Sequence, residues 1–194
     1  MSNDKLSEAQ AIYVSEIRKV QESADTWRDF LDFSAKVMVN NNQSEFEFSS
    51  KLIIHARNSK ATDCRQFGEW KTNDGNHVNR YEKGIPVLSR DKSGKQSVTY
   101  LFDTSQTAFP KEPERVAIPD AHKDNFKSEL NSVIDRLSDN VSFSDEQKRL
   151  FRETAEYKFC KQYQLDISEN TERFSGIENL SVREIANIGI VLNR

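Results

Sequence analysis

Asp74, Glu82 and Lys83 come nearest to a catalytic set in this chain: two carboxylates and an ammonium close together in sequence. A nuclease needs carboxylates converging on a metal ion and a cation beside the phosphate, so this cluster keeps a metal-dependent nuclease among the readings. Its spacing matches no nuclease signature, and charged residues in loops are common. The histidines His55, His77 and His122 fall in separate parts of the chain, without H-E-x-x-H or any other ligand spacing. His55 stands among Leu52, Ile53, Ile54 and Ala56 and reads as a core or boundary residue. Cys64 and Cys160 lie far apart, form no C-x-x-C pair and have no base beside them, which argues against a disulfide framework and a thiol nucleophile. No G-x-x-x-x-G-K-[ST] phosphate cradle is present. The residues therefore lead to no catalytic assignment, no metal and no cofactor.

Binding chemistry is better represented. The stretch Cys64–Leu88, "CRQFGEWKTNDGNHVNRYEKGIPVL", gathers basic and aromatic residues around a polar loop. Single-stranded nucleic acid is held by cations along its phosphates and by aromatic faces under its bases. The candidate contacts are Lys51, Arg57, Arg65, Trp70, Lys71, Asn79, Arg80, Tyr81, Lys83 and Arg90. Residues 51–100 hold ten Lys/Arg against five Asp/Glu, a charge of +5 in a chain whose net charge is −3. Two explanations stand side by side: an anionic partner at one face, or an ordinary solvated surface of mixed charge. Trp70 has the same two readings, as a core anchor or as a stacking ring. Tyr81, between Arg80 and Lys83 and close to a glycine, is the better stacking candidate, and Tyr100 lies near in sequence.

Several elements must position these residues. Leu6, Ala9, Tyr13, Ile17, Val20, Ala24, Trp27, Leu31, Ala35 and Met38 recur at steps of three and four, the spacing of one helical face. One long helix or two abutting ones fit, with a break and cap at Asp25-Thr26. "FSSKLIIHAR" (48–57) predicts a short buried helix, and Thr62-Asp63 a cap for another reaching Trp70. "TNDGN" (72–76) is a turn. Strands are expected at Val78–Tyr81, Ile85–Ser89 and Ser97–Phe102, with "RDKSGK" as a hairpin loop and Pro86 on an edge strand. The proline-rich stretch 110–119 reads as an extended connector. Beyond it, Phe126, Leu130, Val133, Ile134 and Leu137 mark a helical face, and Ser144-x-x-Gln147 and Ser181-x-x-Glu184 are capping boxes opening two more helices. The expected class is α+β: a small antiparallel β-sheet packed with N-terminal helices, followed by a C-terminal helical region (1–109, then 120–194).

The composition agrees with a soluble, polar domain. Of 194 residues, 36% are hydrophobic and 30% charged, with a mean hydropathy of −0.77. Twelve phenylalanines and two tryptophans supply a core. No run of about 18 apolar residues exists, so no membrane partner is expected. The opening "MSNDKLSEAQ" has no basic start and no apolar stretch, so the expected compartment is the cytoplasm.

"HVNRYEKGIPVL", followed by "VTYLFDTSQT", resembles the N-terminal domain of the ArdC antirestriction proteins, which also occurs in large proteins of conjugative elements. That family's pattern has a tryptophan, a turn, "V-x-+-G-x-K-G", a strand and a closing "V-F-D-V-x-x-T". Trp70, Val78, Arg80, Lys83, Gly84 and the run Leu101–Thr107 occupy those positions. Upstream, "FEFSSKLIIHARNSKAT" is similar to the family's "S-F-x-N-Q-L-L-I-x-A-Q-x-P-x-A-T" helix through Leu52, Ile54, Ala56, Ala61 and Thr62. The likeness covers roughly residues 25–108. The family's Asn-Gln pair is Ser50-Lys51 here, and Tyr81-Glu82 stands where its glycine precedes the lysine. The metalloprotease-like region of full-length ArdC has no counterpart.

The resemblance implies single-stranded DNA binding and a mobile-element origin. Such an element enters its host as a single strand and must survive restriction and CRISPR immunity. The expected function is anti-defence without catalysis. Expected partners are single-stranded DNA or guide RNA and a host CRISPR effector nuclease, met by the acidic remainder of the chain. A plain DNA-protecting protein of conjugation is the alternative.

Overall fold

The computed structural model describes residues 2–41, 43–73, 75–114, 117–139, 141–167, 170 and 172–192, with the backbone alone at 2, 3, 44, 72 and 73. The class is α+β, and the described residues form two compact units that interleave along the chain. One comprises Met1–Lys19 and Val37–Pro113, the other Val20–Lys36 and Glu114–Leu192.

The first unit is built on a four-stranded sheet of order β1-β2-β4-β3, from β1 (Met38–Asn40), β2 (Asp63–Gln66), β3 (Ile85–Arg90) and β4 (Gln96–Asp103). The β3/β4 hairpin is antiparallel as expected; β2 adds a further antiparallel pair with β4, and the short β1 a parallel pair with β2. The β3–β4 hairpin closes through Asp91, whose backbone N–H donates to the Lys95 carbonyl at 2.9 Å, with Gly94 at φ 81°. Glycine is needed there because a β-carbon would crowd the carbonyl. Pro86 sits on β3, an edge strand, where its missing N–H costs no ladder bond.

Helix α1 (Ser2–Val20) and helix α3 (Glu47–Arg57) complete the core of this unit. Leu52, Ile53 and Ile54 of α3 are fully buried, as are Val87, Leu101 and Cys64 of the sheet. His55 is the boundary histidine expected, with Nδ1 2.7 Å from a buried Glu16 carboxylate oxygen on α1.

The second unit holds α2 (Ala24–Lys36), α5 (Lys123–Asp139), α6 (Asp145–Gln162) and α7 (Val182–Val191). Trp27, Leu150, Phe151, Phe174, Ile185 and Ile188 are buried in its core. The Trp27 indole N–H meets the buried Thr154 hydroxyl at 3.1 Å, which satisfies both polar groups. Both capping boxes form: Ser144 accepts from the Gln147 N–H and Ser181 from the Glu184 N–H.

Five of the expected elements are corrected by the structure. The N-terminal periodicity resolves into two helices, and the break lies at Gln21–Ser23 rather than Asp25-Thr26. Ser23 and Thr26 exchange reciprocal bonds of 3.0 and 3.2 Å, so Ser23 is the cap. Met38 leaves the helical pattern for β1, where its N–H pairs with the Thr62 carbonyl. Residues 63–66 form a strand instead of a helix: the N–H groups of Thr62 and Asp63 themselves bond to Asp103, and the Asp63 carboxylate pairs with Arg65 instead of capping a helix. A short helix, α4 (Glu69–Asn73), then starts beside Trp70 rather than ending there. Of the strand expected at 78–81, only an isolated bridge between Val78 and Thr107 exists.

Candidate nucleic-acid interface

The end of β4 builds the support for the basic-aromatic loop. Asp103 is buried, and one carboxylate oxygen accepts the Thr62 and Asp63 N–H groups at 2.8 and 3.2 Å. Its other oxygen accepts the Ser105 N–H and hydroxyl, which caps the short turn Thr104–Gln106. Gln106 is fixed in turn, its amide oxygen accepting the Asp103 N–H at 3.0 Å. Its amide nitrogen is thereby aimed outward and donates to Glu82 Oε2 at 2.8 Å and to the Lys83 carbonyl at 3.1 Å. Asn79 adds two more ties, backbone N–H to Gln106 O and side-chain amide to Thr107 O. Gln106 and Thr107, in and beside the turn that Asp103 caps, thus hold the loop 79–84.

Gly84 lets that loop lie close on the sheet. A β-carbon there would come within 2.9 Å of Tyr100 Cβ and of Phe102 Cζ. Steric approach, not a special φ, requires glycine at this position.

The loop presents its charges and one ring to solvent. Tyr81 is 93% exposed and its φ is 69°, in the left-handed region. Arg80 and Lys83 on either side are exposed, as is Lys71 on α4. None of these three cations has an ion pair among the described residues.

The other expected contacts are placed differently. Trp70 is 3% exposed, its indole donates to the Phe102 carbonyl at 3.2 Å, and the Arg65 guanidinium covers its ring at 4.7 Å. Its ring is a core anchor, with no face open to a base. Arg65 is also clamped by Asp63 through contacts of 2.6–3.0 Å. Lys51 is buried and paired with Glu47 at 2.8 Å. Arg57 is exposed and pairs with Glu8, and Arg90 pairs with Glu45 and lies over the Phe46 ring. The structure therefore gathers Asn79, Arg80, Tyr81 and Lys83 in one loop. Lys51, Arg57, Arg65, Trp70 and Arg90 are engaged within the fold instead.

Two further rings belong to this surface, Phe67 and Phe102, and sequence reasoning passes over both. Tyr100 and Phe102 stand two apart on β4 and share one sheet face. Phe67 meets Phe102 edge-on at 5.8 Å between centroids. Phe67 is 61% and Tyr100 43% exposed. The available signal was the alternation Val98, Tyr100, Phe102 along a strand whose other face buries Leu101 and Asp103.

Asp74 lies outside the described residues, and Glu82 is tied to Gln106. Among the described residues, no three His, Cys, Asp or Glu side chains are grouped as a metal ion would need. Burial pushes the Cys64 thiol far above its usual range, with the Asp103 and Asp63 carboxylates adding to it, so it is a poor nucleophile. No helix of the described residues is long and apolar enough to cross a membrane. Comparison with protein-family models, curated proteins and solved structures finds no match for this chain.

Proposed function

We propose that this chain is an ArdC-like, single-stranded-nucleic-acid-binding protein of a mobile element that counters host restriction or CRISPR immunity in the bacterial cytoplasm. Tyr81 carries the reading. A left-handed backbone costs a non-glycine residue about 1–2 kcal/mol, and an almost fully exposed ring returns nothing to the core. The ArdC-like pattern has glycine at this position, the residue that would sit there unstrained. A tyrosine kept there against strain, between unpaired Arg80 and Lys83, fits a ring that stacks on a base while the cations meet phosphates.

The second unit supports a protein partner. It holds 13 Lys/Arg against 19 Asp/Glu, whereas Met1–Lys19 and Val37–Pro113 hold 14 against 12. An excess of acid is complementary to the basic, guide-RNA-handling surface of a CRISPR effector nuclease. No catalytic step is assigned to either unit.

The test is fluorescence anisotropy of labelled single-stranded DNA and RNA across a salt series. With Lys71, Arg80 and Lys83 engaging about three phosphates, the logarithm of affinity should fall against that of salt with a slope of about −2. Tyr81→Gly should leave stability unchanged or slightly raised, because strain relief is offset by glycine's unfolded-state freedom, yet weaken binding roughly 10- to 100-fold. Unchanged binding by that variant, or affinity independent of salt, would reject the interface. Plasmid transfer into hosts with and without a CRISPR system then separates anti-defence from plain DNA protection.

A further inference from the structure

We propose that the sheet face formed by Phe67, Tyr100 and Phe102 is a second stacking platform, which takes unpaired bases and makes the protein selective for single strands over duplex. This rests on the nucleic-acid reading above and names the platform that reading lacks.

Exposed aromatic rings are unevenly distributed. Among the described residues, the exposed large aromatics are Phe67, Tyr81, Tyr100 and Phe109, all in the unit that contains the sheet. Phe67, Tyr100 and the half-buried Phe102 are neighbours. Phe102 touches Phe67 edge-on at 5.8 Å, and register places Arg65 opposite Phe102 and Pro86 opposite Tyr100 on the same face. Gly84 sets the Lys83–Gly84 backbone directly against Tyr100 and Phe102. Tyr81 is three residues from Gly84, so its backbone lies within about 11 Å of the platform edge at full chain extension. A stacked strand rises 3.4 Å per nucleotide and an extended one more, so about three nucleotides at most are needed to span that distance. One short strand could therefore lie on the platform rings and on Tyr81 together.

Charge selects the occupant. An apolar protein segment would gain nothing from the unpaired Arg80 and Lys83 of the loop that Gly84 joins to these rings, whereas a polyanion with aromatic bases is matched by both. Duplex is disfavoured because its bases are already stacked on one another, so rings on an open sheet face reach only unpaired ones.

The experiment compares the full chain with Phe67→Ala/Tyr100→Ala and with Arg80→Ala/Lys83→Ala. The probes are a labelled thymidine 12-mer and a duplex of equal length, with thermal melts as the folding control. Both platform substitutions fall at exposed positions, and Phe102 is left in place to protect the core. The platform variant should lose roughly tenfold or more on the single strand, keep the wild-type salt slope and leave duplex binding unchanged. The charge variant should lose affinity for both probes and show a shallower slope. A platform variant that binds like wild type, or a wild type with no preference for the single strand, overturns the platform while the interface of Tyr81, Arg80 and Lys83 stands. A wild-type chain that binds no oligonucleotide at low salt overturns the nucleic-acid reading and the platform with it. A platform variant that has lost its melt is replaced by Phe67→Leu/Tyr100→Leu, which keeps apolar bulk and removes the π-face, and is judged by the same criteria.

Discussion

Asp103→Ala is the substitution through which the architecture of the proposed interface is most open to refutation. The Asp103 side chain is buried and serves three backbone N–H groups and one hydroxyl. A hydrogen bond to a charged group contributes about 1.5–3 kcal/mol, and a buried N–H stripped of its partner costs about 1–3 kcal/mol. The four bonds do not count equally. Ser105 is exposed, so water replaces the aspartate there at little cost. The Thr62 bond is short at 2.8 Å, and the longer Asp63 bond belongs to a buried residue, so these two dominate. The expected loss is about 3–4 kcal/mol, a large part of the stability of an ordinary domain at about 5–15 kcal/mol. Asp103→Asn keeps one oxygen for Thr62 and Asp63 and should cost about 1–2 kcal/mol, while Ser105→Ala should cost under about 1 kcal/mol. Urea unfolding followed by far-ultraviolet circular dichroism and tryptophan emission measures all three. Since Trp70 is anchored on the neighbouring Phe102 carbonyl, its emission should shift at the lowest urea in Asp103→Ala. If that variant loses less than about 1 kcal/mol, or Ser105→Ala loses as much, Asp103 is not the brace described and the fixed loop must be explained otherwise.

Two more outcomes check the same framework. Gly84→Ala introduces a β-carbon 2.9 Å from atoms of Tyr100 and Phe102, so it should destabilise by about 1–3 kcal/mol and weaken oligonucleotide binding by lifting the loop; a melt identical to wild type would contradict the close approach. Cys64 and Cys160 are both buried with thiols pushed above their usual range by burial, so a thiol reagent at pH 8 should label neither in the native protein and both in denaturant, and rapid native labelling of either would contradict that burial.

Helices were legible in the sequence wherever a local signal sufficed. The capping boxes at Ser144 and Ser181 and the apolar block of α3 are complete within a few residues, and each marks a helix where it was expected. The β3–β4 hairpin was legible for the same reason, with turn chemistry between two apolar runs. Residues 62–70 failed because Thr62-Asp63 look like a helix cap, yet their N–H groups bond to Asp103, about forty residues away. Val78–Tyr81 failed because a strand needs a ladder, and after Val78 the chain makes one backbone bond to the neighbouring segment, from the Asn79 N–H to the Gln106 carbonyl, and is otherwise held by side-chain and turn bonds. In the candidate site, Arg80, Tyr81 and Lys83 were legible as chemistry because they are contiguous. The burial of Trp70 and Lys51, and the pairing of Arg65 with Asp63 and Trp70, depend on contacts that no spacing encodes.

The positions that carry the ArdC-like pattern divide into two physical kinds. Leu52, Ile54, Ala61, Trp70, Val78, Leu101, Asp103 and Thr107 are buried, and Asp103 and Gln106 spend their hydrogen bonds holding the turn and the loop. A likeness on these residues speaks for a scaffold, and two chains could share it while binding different things. Arg80 and Lys83 face solvent, and position 81 bears the strain that glycine would relieve. Only these positions speak for a ligand. The departure at 81 is therefore more informative than the matches around it. A tyrosine at this φ lacks the conformational ease of glycine and leaves its ring exposed, a combination that folding alone does not favour. The two measurements on Tyr81→Gly should accordingly move apart, stability level or upward and affinity downward. If both stay level, the ring is ornamental, and the likeness extends no further than the scaffold.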